Sequence, residues 1–357
     1  MSTNDTITVA LIDDSSVIRG ALARIIDTDK NIEIVASLAN GEMAVLCAKD
    51  KKPDVMILDI EMPVMDGLTA LPQIIENSPD TKVIMFSALT AEGADATIKA
   101  MALGAVECIV KPKSSQDTSP GSEFHTYITG LIKTLGGAKS ATKPVTSNAA
   151  VEKKSYSAPT TASIPQTSQR PEILAIGSST GGPQALFNFF GGLGQINVPV
   201  IITQHMPATF TKILAEHISQ NSVMPAYEGE DDMPVEKGKI YVAPGGKHMT
   251  FQKNNGQIVI KLDDGAPENF CKPAVDKMML SIIDIHHNKV LCVILTGMGQ
   301  DGLLGARQLH QIGGRVIAQD KASSVVWGMP GAVAEDGICS DILPIDDIGS
   351  KVKRIIG

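Results

Sequence analysis

Residues 8–14 read TVALIDD, a short apolar run that stops at two adjacent acids. Such a run suits a strand buried on both faces, and the acids then fall at its carboxyl end. The pattern recurs as IEIVASL (32–38), DVMILDI (54–60), KVIMFSA (82–88) and ECIVKP (107–112). Amphipathic stretches near 16–28, 41–50, 67–77, 91–103 and 122–135 separate and follow these runs and are predicted helices. Strand and helix in strict alternation imply an α/β, doubly wound domain with a parallel sheet and helices on both faces. After residue 170 the alternation returns, with EILAIGSS (172–179), VPVIITQH (198–205), KIYVAP (239–244), KVLCVILTG (289–297) and RVIAQD (315–320) as strands. A β-hairpin, MTFQKNNGQIVIKL (249–262), interrupts them and turns at Asn-Asn-Gly. No internal repeat links the halves, so a second, mostly parallel doubly wound domain is expected.

Between the halves lies a stretch of different composition. Residues 137–170 are dominated by Ser, Thr, Ala, Pro and Lys, with few and isolated large apolar residues. Such a segment cannot bury enough apolar surface to offset its ordering entropy, and it reads as a flexible linker. The expected organisation is one domain over 1–136, a linker over 137–170 and a second domain over 171–357.

Charge and composition exclude several classes of function. The 357 residues are 43% hydrophobic and carry a formal net charge of -8, which gives no general attraction to nucleic acid or anionic lipid. From residue 171 onward, 15 Lys and Arg face 19 Asp and Glu, and no basic stripe marks a DNA-binding output domain. No apolar run reaches the ~18 residues that span a bilayer, and the N-terminus lacks a signal peptide's pattern. The expectation is a cytoplasmic protein with no membrane insertion. Five cysteines are scattered without a CxxC pair, and three sit inside apolar runs as small buried thiols.

In the first domain the polar residues fall at strand ends. Asp13 and Asp14 close the first strand, Asp59 the third, Ser87 the fourth and Lys111 the fifth. Strand ends of a parallel sheet share one edge, where ligands bind. Three clustered carboxylates repel one another, and a hard divalent cation such as Mg²⁺ relieves that repulsion. Phosphoryl transfer onto an aspartate uses all five groups, the metal and lysine neutralising the phosphoryl oxygens. LIDDS, LDIEMPVMDG, the SA of FSALT and the KP of IVKP resemble a response-regulator receiver domain. The resemblance implies Asp59 as phosphoacceptor, Asp13, Asp14 and Asp59 around Mg²⁺, Ser87 as switch hydroxyl and Lys111 as the phosphoryl contact. Many receivers have an aromatic three residues before that lysine; here it is Cys108, expected to be a packing residue.

The second domain offers a hydroxyl, an imidazole and a carboxylate. Gly177-Ser178-Ser179-Thr180-Gly181 forms a G-x-S-x-G turn between a strand and a helix. Taken alone, that loop suits a serine nucleophile and a phosphate cradle equally. His205 ends the strand VPVIITQH, and Asp301 lies in the loop after KVLCVILTG. A serine needs an imidazole to take its proton, and a carboxylate to hold that imidazole's tautomer. His248, after the turn APGG, is the rival imidazole.

The chain order Ser, His, Asp departs from the Ser, acid, His order of the nucleophile-elbow hydrolases. GSSTGGP, ITQHMP, YVAPGGKHM, PAVDKMM, LTGMGQDG and WGMPGAV resemble instead the catalytic domain of the chemotaxis protein-glutamate methylesterases, the CheB family. The resemblance implies Ser179 as nucleophile, His205 as general base and acid, and Asp301 as its orienting partner. Thr180 and Met298 become neighbouring groups, with the Met298 backbone N–H as oxyanion donor, and no cofactor is implied for hydrolysis. It also implies a glutamate γ-methyl ester on a methyl-accepting chemoreceptor as substrate, with deamidation of receptor glutamines. A chemotaxis histidine kinase becomes the phosphodonor, and the unphosphorylated receiver is expected to cover the Ser179 edge.

Overall fold

A computed structural model describes residues 6–87, 90–112, 119, 121–137 and 169–357. The expected linker lies outside the described residues, apart from Gly137, Gln169 and Arg170. The chain divides into two compact units, one ending at Ala158 and the other beginning at Pro159.

The first unit alternates β1 (Ile7–Ile12), α1 (Ser16–Ile26), β2 (Ile32–Leu38), α2 (Gly41–Asp50), β3 (Val55–Asp59), α3 (Gly67–Asn77), β4 (Lys82–Ser87), α4 (Ala91–Ala102), β5 (Glu107–Val110) and α5 (Glu123–Gly137). Its five strands are all parallel, in the order β2-β1-β3-β4-β5. Every residue of β3 is buried, as its unbroken apolar run requires between two helical layers. Polar side chains start the helices: Asn40 accepts from Met43 N–H at 3.0 Å and Asp66 from Thr69 N–H at 2.7 Å. The strand order reverses between β1 and β3, so their carboxyl ends diverge and open a crevice. Asp13 and Asp59 stand at that crevice.

The second unit contains β6 (Ile173–Ser178), α6 (Gly182–Leu193), β7 (Val200–Gln204), α7 (Ala208–Asn221), β8 (Ala226–Glu228), β9 (Ile240–Val242), β10 (His248–Asn254), β11 (Gln257–Asp263), α8 (Val275–His286), β12 (Val290–Ile294), α9 (Leu303–Gln311), β13 (Arg315–Gln319), α10 (Met329–Glu335), β14 (Asp341–Leu343) and α11 (Ile345–Ile356). Seven parallel strands run β14-β13-β12-β6-β7-β9-β8. The hairpin β10-β11 pairs separately and turns at Asn255 and Gly256, with φ of 49° and 83°. Positive φ at both turn residues matches the right-handed twist of the flanking strands. Strands β8 and β14 are additions to the predicted set; at three residues each they are too short to show a period.

Here the order reverses between β6 and β12, which places the ends of these two strands at the crevice. A core of Ile173, Ala175, Val275, Met278, Met279, Ile282, Cys292 and Ile294 packs α8 against the sheet below that edge. Among the described residues, no helix is long and apolar enough to cross a membrane.

Candidate active site

In the first unit four of the five expected strand-end residues, Asp14, Asp59, Ser87 and Lys111, line one pocket, and the fifth, Asp13, pairs with Lys111. Lys111 Nζ lies 2.8 Å from Asp13 Oδ2 and 2.7 Å from Asp59 Oδ2. Both acids are almost wholly buried, and those two oxygens have no hydrogen-bond partner beyond this ion pairing. Burial pushes Asp59 up to about 6 against the pull of Lys111, and the charge of Asp13 adds to the rise. Burial also works against the Lys111 ammonium, but hydrogen bonds to Asp13 and Asp59 outweigh it and hold its pKa above the usual lysine value. A cavity of about 290 Å³ is lined by Asp14, Asp59, Ile60, Glu61, Ser87 and Lys111. One oxygen from each of Asp13, Asp14 and Asp59 lies within 4.8 Å of the others. Two buried carboxylate oxygens whose one partner is the Lys111 ammonium, beside an exposed third acid, fit a hard cation with oxygen ligands. Ser87 Oγ donates to Gly93 O at 3.3 Å, so the fourth strand is tied to the start of α4. Cys108 is packed, its thiol 3.4 Å from Thr97 Oγ1, and burial pushes it up to about 12, far from a reactive thiolate.

In the second unit Ser179 continues from β6. Its N–H donates to Thr296 O at 3.0 Å, and Gly182 N–H returns to Ser179 O at 2.7 Å. Gly181, at φ 76°, turns the chain into α6. Ser178, the neighbouring hydroxyl, is fully buried and donates to Gln204 Oε1 at 2.7 Å. Gln204 Nε2 donates in turn to Ser179 O at 2.9 Å and His205 O at 3.2 Å, which locks the two strand ends together. A Cβ on Gly297 would fall 2.8 Å from Ser179 Cβ, so the Gly297-Met298 loop passes against the serine. Thr180 is buried, its carbonyl accepting from Thr296 Oγ1 at 2.9 Å, while Met298 is half-exposed.

His205 and Asp301 meet as expected: Nε2 stands 2.8 Å from Oδ2. Asp301 also accepts from Val275 N–H at 2.6 Å, Asp276 N–H at 3.1 Å and Gly302 N–H at 3.0 Å. The carboxylate therefore sits on the amino end of α8, where orphan N–H groups and the helix dipole favour negative charge. Burial raises the Asp301 pKa, but His205 and these donors outweigh it and hold the acid below the usual range. For His205, burial disfavours the charge, yet the hydrogen bonds to Asp301 and Cys271 raise it to about 9.

One expected link is absent. Among the described residues no hydrogen bond joins Ser179 Oγ to His205; the free ring nitrogen, Nδ1, faces Cys271 Sγ at 3.4 Å instead. The rival imidazole is a structural residue. His248 is fully buried, with Nε2 3.0 Å from Ala266 O and Nδ1 accepting from Ala274 N–H at 3.2 Å, so both ring nitrogens are committed.

Cys271, Asn269 and Asp276 are site neighbours that sequence reasoning missed. Asn269 Nδ2 bridges Asp301 Oδ1 and Asp276 Oδ2, each at 3.3 Å. Asp276 is buried beside Asp301, and burial together with that neighbouring charge raises its pKa. Gln204 was in plain view as the residue before the strand-end histidine, but nothing local distinguishes a strand-tying amide from any other.

Both units have known relatives. Residues 174–352 match the CheB methylesterase family, and residues 9–118 match the response regulator receiver domain. The chain is 45% identical over 366 residues to protein-glutamate methylesterase/protein-glutamine glutaminase 1 of Rhodospirillum rubrum, covering 98% of this chain and 95% of that protein. A relative of the same named activity in Azospirillum brasilense is 46% identical over 367 residues, covering 98% and 93%. Among solved structures, the Thermotoga maritima CheB methylesterase catalytic domain aligns with a TM-score of 0.50 at 39% identity, over 52% of this chain and 98% of that one. The relatives extend across both units. The chain belongs to the CheB methylesterase family, with a response-regulator receiver domain ahead of its catalytic domain.

Proposed function

We propose that this protein is a phosphorylation-regulated protein-glutamate methylesterase that also deamidates glutamine side chains, acting on chemoreceptors in the cytoplasm. The observation that carries the reading is the His205–Asp301 pair, 2.8 Å apart at the sheet's switch point, with the Ser179 turn on the adjoining strand end. Asp301 keeps a proton on Nε2, which leaves Nδ1 as the nitrogen that exchanges protons.

In the proposed reaction Ser179 Oγ attacks the γ-carbonyl carbon of the ester while His205 Nδ1 takes the hydroxyl proton. The oxyanion forms beside the Gly297-Met298 loop, where the Met298 N–H is the proposed donor; one such donor contributes about 2.7–4 kcal/mol. Collapse breaks the carbon–oxygen bond to the methoxy group, and His205 returns the proton so that methanol leaves. Water repeats the sequence on the acyl-enzyme and restores a glutamate carboxylate; with a glutamine substrate the leaving group is ammonia. For any of this, Cys271 must yield Nδ1 to Ser179. A ring with pKa about 9 is protonated at neutral pH, so the arrangement with Cys271 on Nδ1 is a resting one.

In the receiver, Asp59 is the proposed phosphoacceptor, and a histidine kinase the proposed phosphodonor. Asp13, Asp14 and Asp59 would hold Mg²⁺, which when bound supplies charge neutralisation for the transferred phosphoryl group. Lys111 already bridges the two buried acids and is placed to pair with phosphoryl oxygens. Ser87, hydrogen-bonded to the start of α4, is placed to report the change to that helix.

The test is methanol release from methyl-labelled receptor membranes by wild type, Ser179→Ala and Cys271→Ala. Loss of volatile label with Ser179→Ala, at unchanged circular dichroism, supports the serine. Retained turnover in that variant with loss in Cys271→Ala would move the nucleophile to the thiol.

A further inference from the structure

The mechanism leaves one group unused. Cys271 reaches the catalytic histidine from the loop between β11 and α8, and hydrolysis requires no thiol there. One donor atom from each of His205, Cys271 and Asp301 lies within 4.8 Å of the others. We propose that His205 and Cys271, backed by Asp301, form an inhibitory site for a thiophilic divalent cation of the zinc class.

Three observations bear on this. The first is spacing. Zn–N and Zn–S bonds of about 2.0–2.1 Å and 2.3 Å in a tetrahedral shell put nitrogen and sulfur roughly 3.5 Å apart. Nδ1 and Sγ already stand 3.4 Å apart, close to the separation that such an ion requires of its two ligands.

The second is the carboxylate behind the ring. A histidine that ligates a metal through one nitrogen commonly donates its other N–H to a carboxylate, which fixes the tautomer and raises ligand basicity. Asp301 does this to Nε2 at 2.8 Å, while backbone N–H groups of Val275, Asp276 and Gly302 immobilise the carboxylate itself.

The third is selectivity. Nitrogen with sulfur suits a borderline or soft ion, whereas Mg²⁺ takes oxygen ligands and sheds water reluctantly. Among the described residues the other candidate ligand group, Asp13, Asp14 and Asp59, is all oxygen. The two units would thus sort two cations by ligand softness. The cysteine is half-buried and the histidine side chain keeps 12% of its surface exposed, which leaves a narrow approach for the ion.

Binding is ligand exchange without redox change. The Cys271 thiol and the protonated ring at Nδ1 each release a proton to solvent, the sulfur and Nδ1 lone pairs go to the cation, and coordinated water leaves. The inhibitory half rests on the proposed role of His205: Nδ1 bound to a cation cannot accept the Ser179 proton. The binding half does not depend on that role.

The experiment uses full-length, reduced, chelator-stripped protein and Co²⁺ as spectroscopic probe. Wild type is expected to bind one Co²⁺ in the second unit with a near-ultraviolet thiolate-to-metal absorption, which added Zn²⁺ removes. Cys271→Ser, checked by circular dichroism and melting, is expected to lose that absorption, whereas Cys47→Ser retains it. In parallel, Zn²⁺ should inhibit methanol release reversibly, chelator should restore it, and Cys271→Ser should need far more Zn²⁺. Loss of a metal's outer partner alone costs about 10–100-fold in affinity, so loss of a direct ligand should cost at least that. Absence of the thiolate absorption, or its persistence in Cys271→Ser, overturns the site. The absorption present with methanol release untouched by saturating Zn²⁺ overturns inhibition and the base role of His205, while the binding site stands.

Discussion

Nε2 of His205 lies 2.8 Å from Oδ2 of Asp301, the same oxygen that receives the Val275 N–H at 2.6 Å. Replacing that acid by an amide keeps the size but offers an N–H to the ring, which favours the wrong tautomer. Asp301→Asn is therefore expected to lower methanol release by about 10⁴-fold while the protein stays folded. The check is single-turnover release of labelled methanol alongside far-ultraviolet circular dichroism; a loss below tenfold would remove Asp301 from the proton path.

The pH dependence follows from the His205 shift. In the proposed role of His205 the base form is the neutral ring, and burial against the stronger pull of Asp301 and Cys271 leaves its pKa at about 9. kcat/KM should rise with pH and level off above about 9. Cys271→Ala removes one of the raising contacts, so its profile should level off at lower pH. The same group is linked to stability with the opposite trend. Its pKa is raised on folding, so its contribution is full below the unfolded histidine value of about 6.5 and lost as pH rises through about 9.

Mg²⁺ should stabilise the receiver unit. A ligand that binds only the folded state at 100 times its Kd adds about 2.7 kcal/mol. Calorimetry of the full chain is expected to show the receiver transition rise with Mg²⁺, and Asp13→Asn should blunt that rise. Asp59→Asn should abolish stimulation of methanol release by acetyl phosphate and leave unstimulated hydrolysis in place. Stimulation that survives in Asp59→Asn would locate the phosphoacceptor elsewhere.

His248 gives a control on the imidazole assignment. Its Nδ1 accepts the Ala274 N–H in a fully buried setting, and truncation would strand that donor. His248→Ala should destabilise the second unit by about 1–3 kcal/mol for the unsatisfied group alone. Urea unfolding measures the loss, and the folded fraction should retain kcat. A collapse of kcat without loss of stability would reverse the ranking of the two histidines.

Much of this molecule was legible because polar residues punctuate apolar runs. Asp13, Asp59, Ser87, Lys111, Ser179 and His205 all end strands, and parallel topology sends strand ends to one edge. The order of strands, and hence which ends flank the crevice, is settled by packing over distances that no local pattern encodes. Cys271 shows the limit most clearly. Its neighbours, ENF before it and KPA after it, carry no periodicity, and only the tertiary fold brings it to His205. Asp301 was found as an acid after a strand, but its second task, seating the start of α8, depends on a helix whose first residue is 26 positions away. The missing Ser179–His205 hydrogen bond belongs to the same class, since side-chain partners at a crowded edge are decided by competition among neighbours.

Because one carboxylate both anchors the imidazole and seats α8, chemistry and architecture share a single fastening. Warming that loosens the first turn of α8 would release the ring before the seven-stranded sheet gives way. Heat inactivation should then precede melting, and a mutation in that turn, several residues from any reacting atom, would silence the enzyme as surely as one in the crevice.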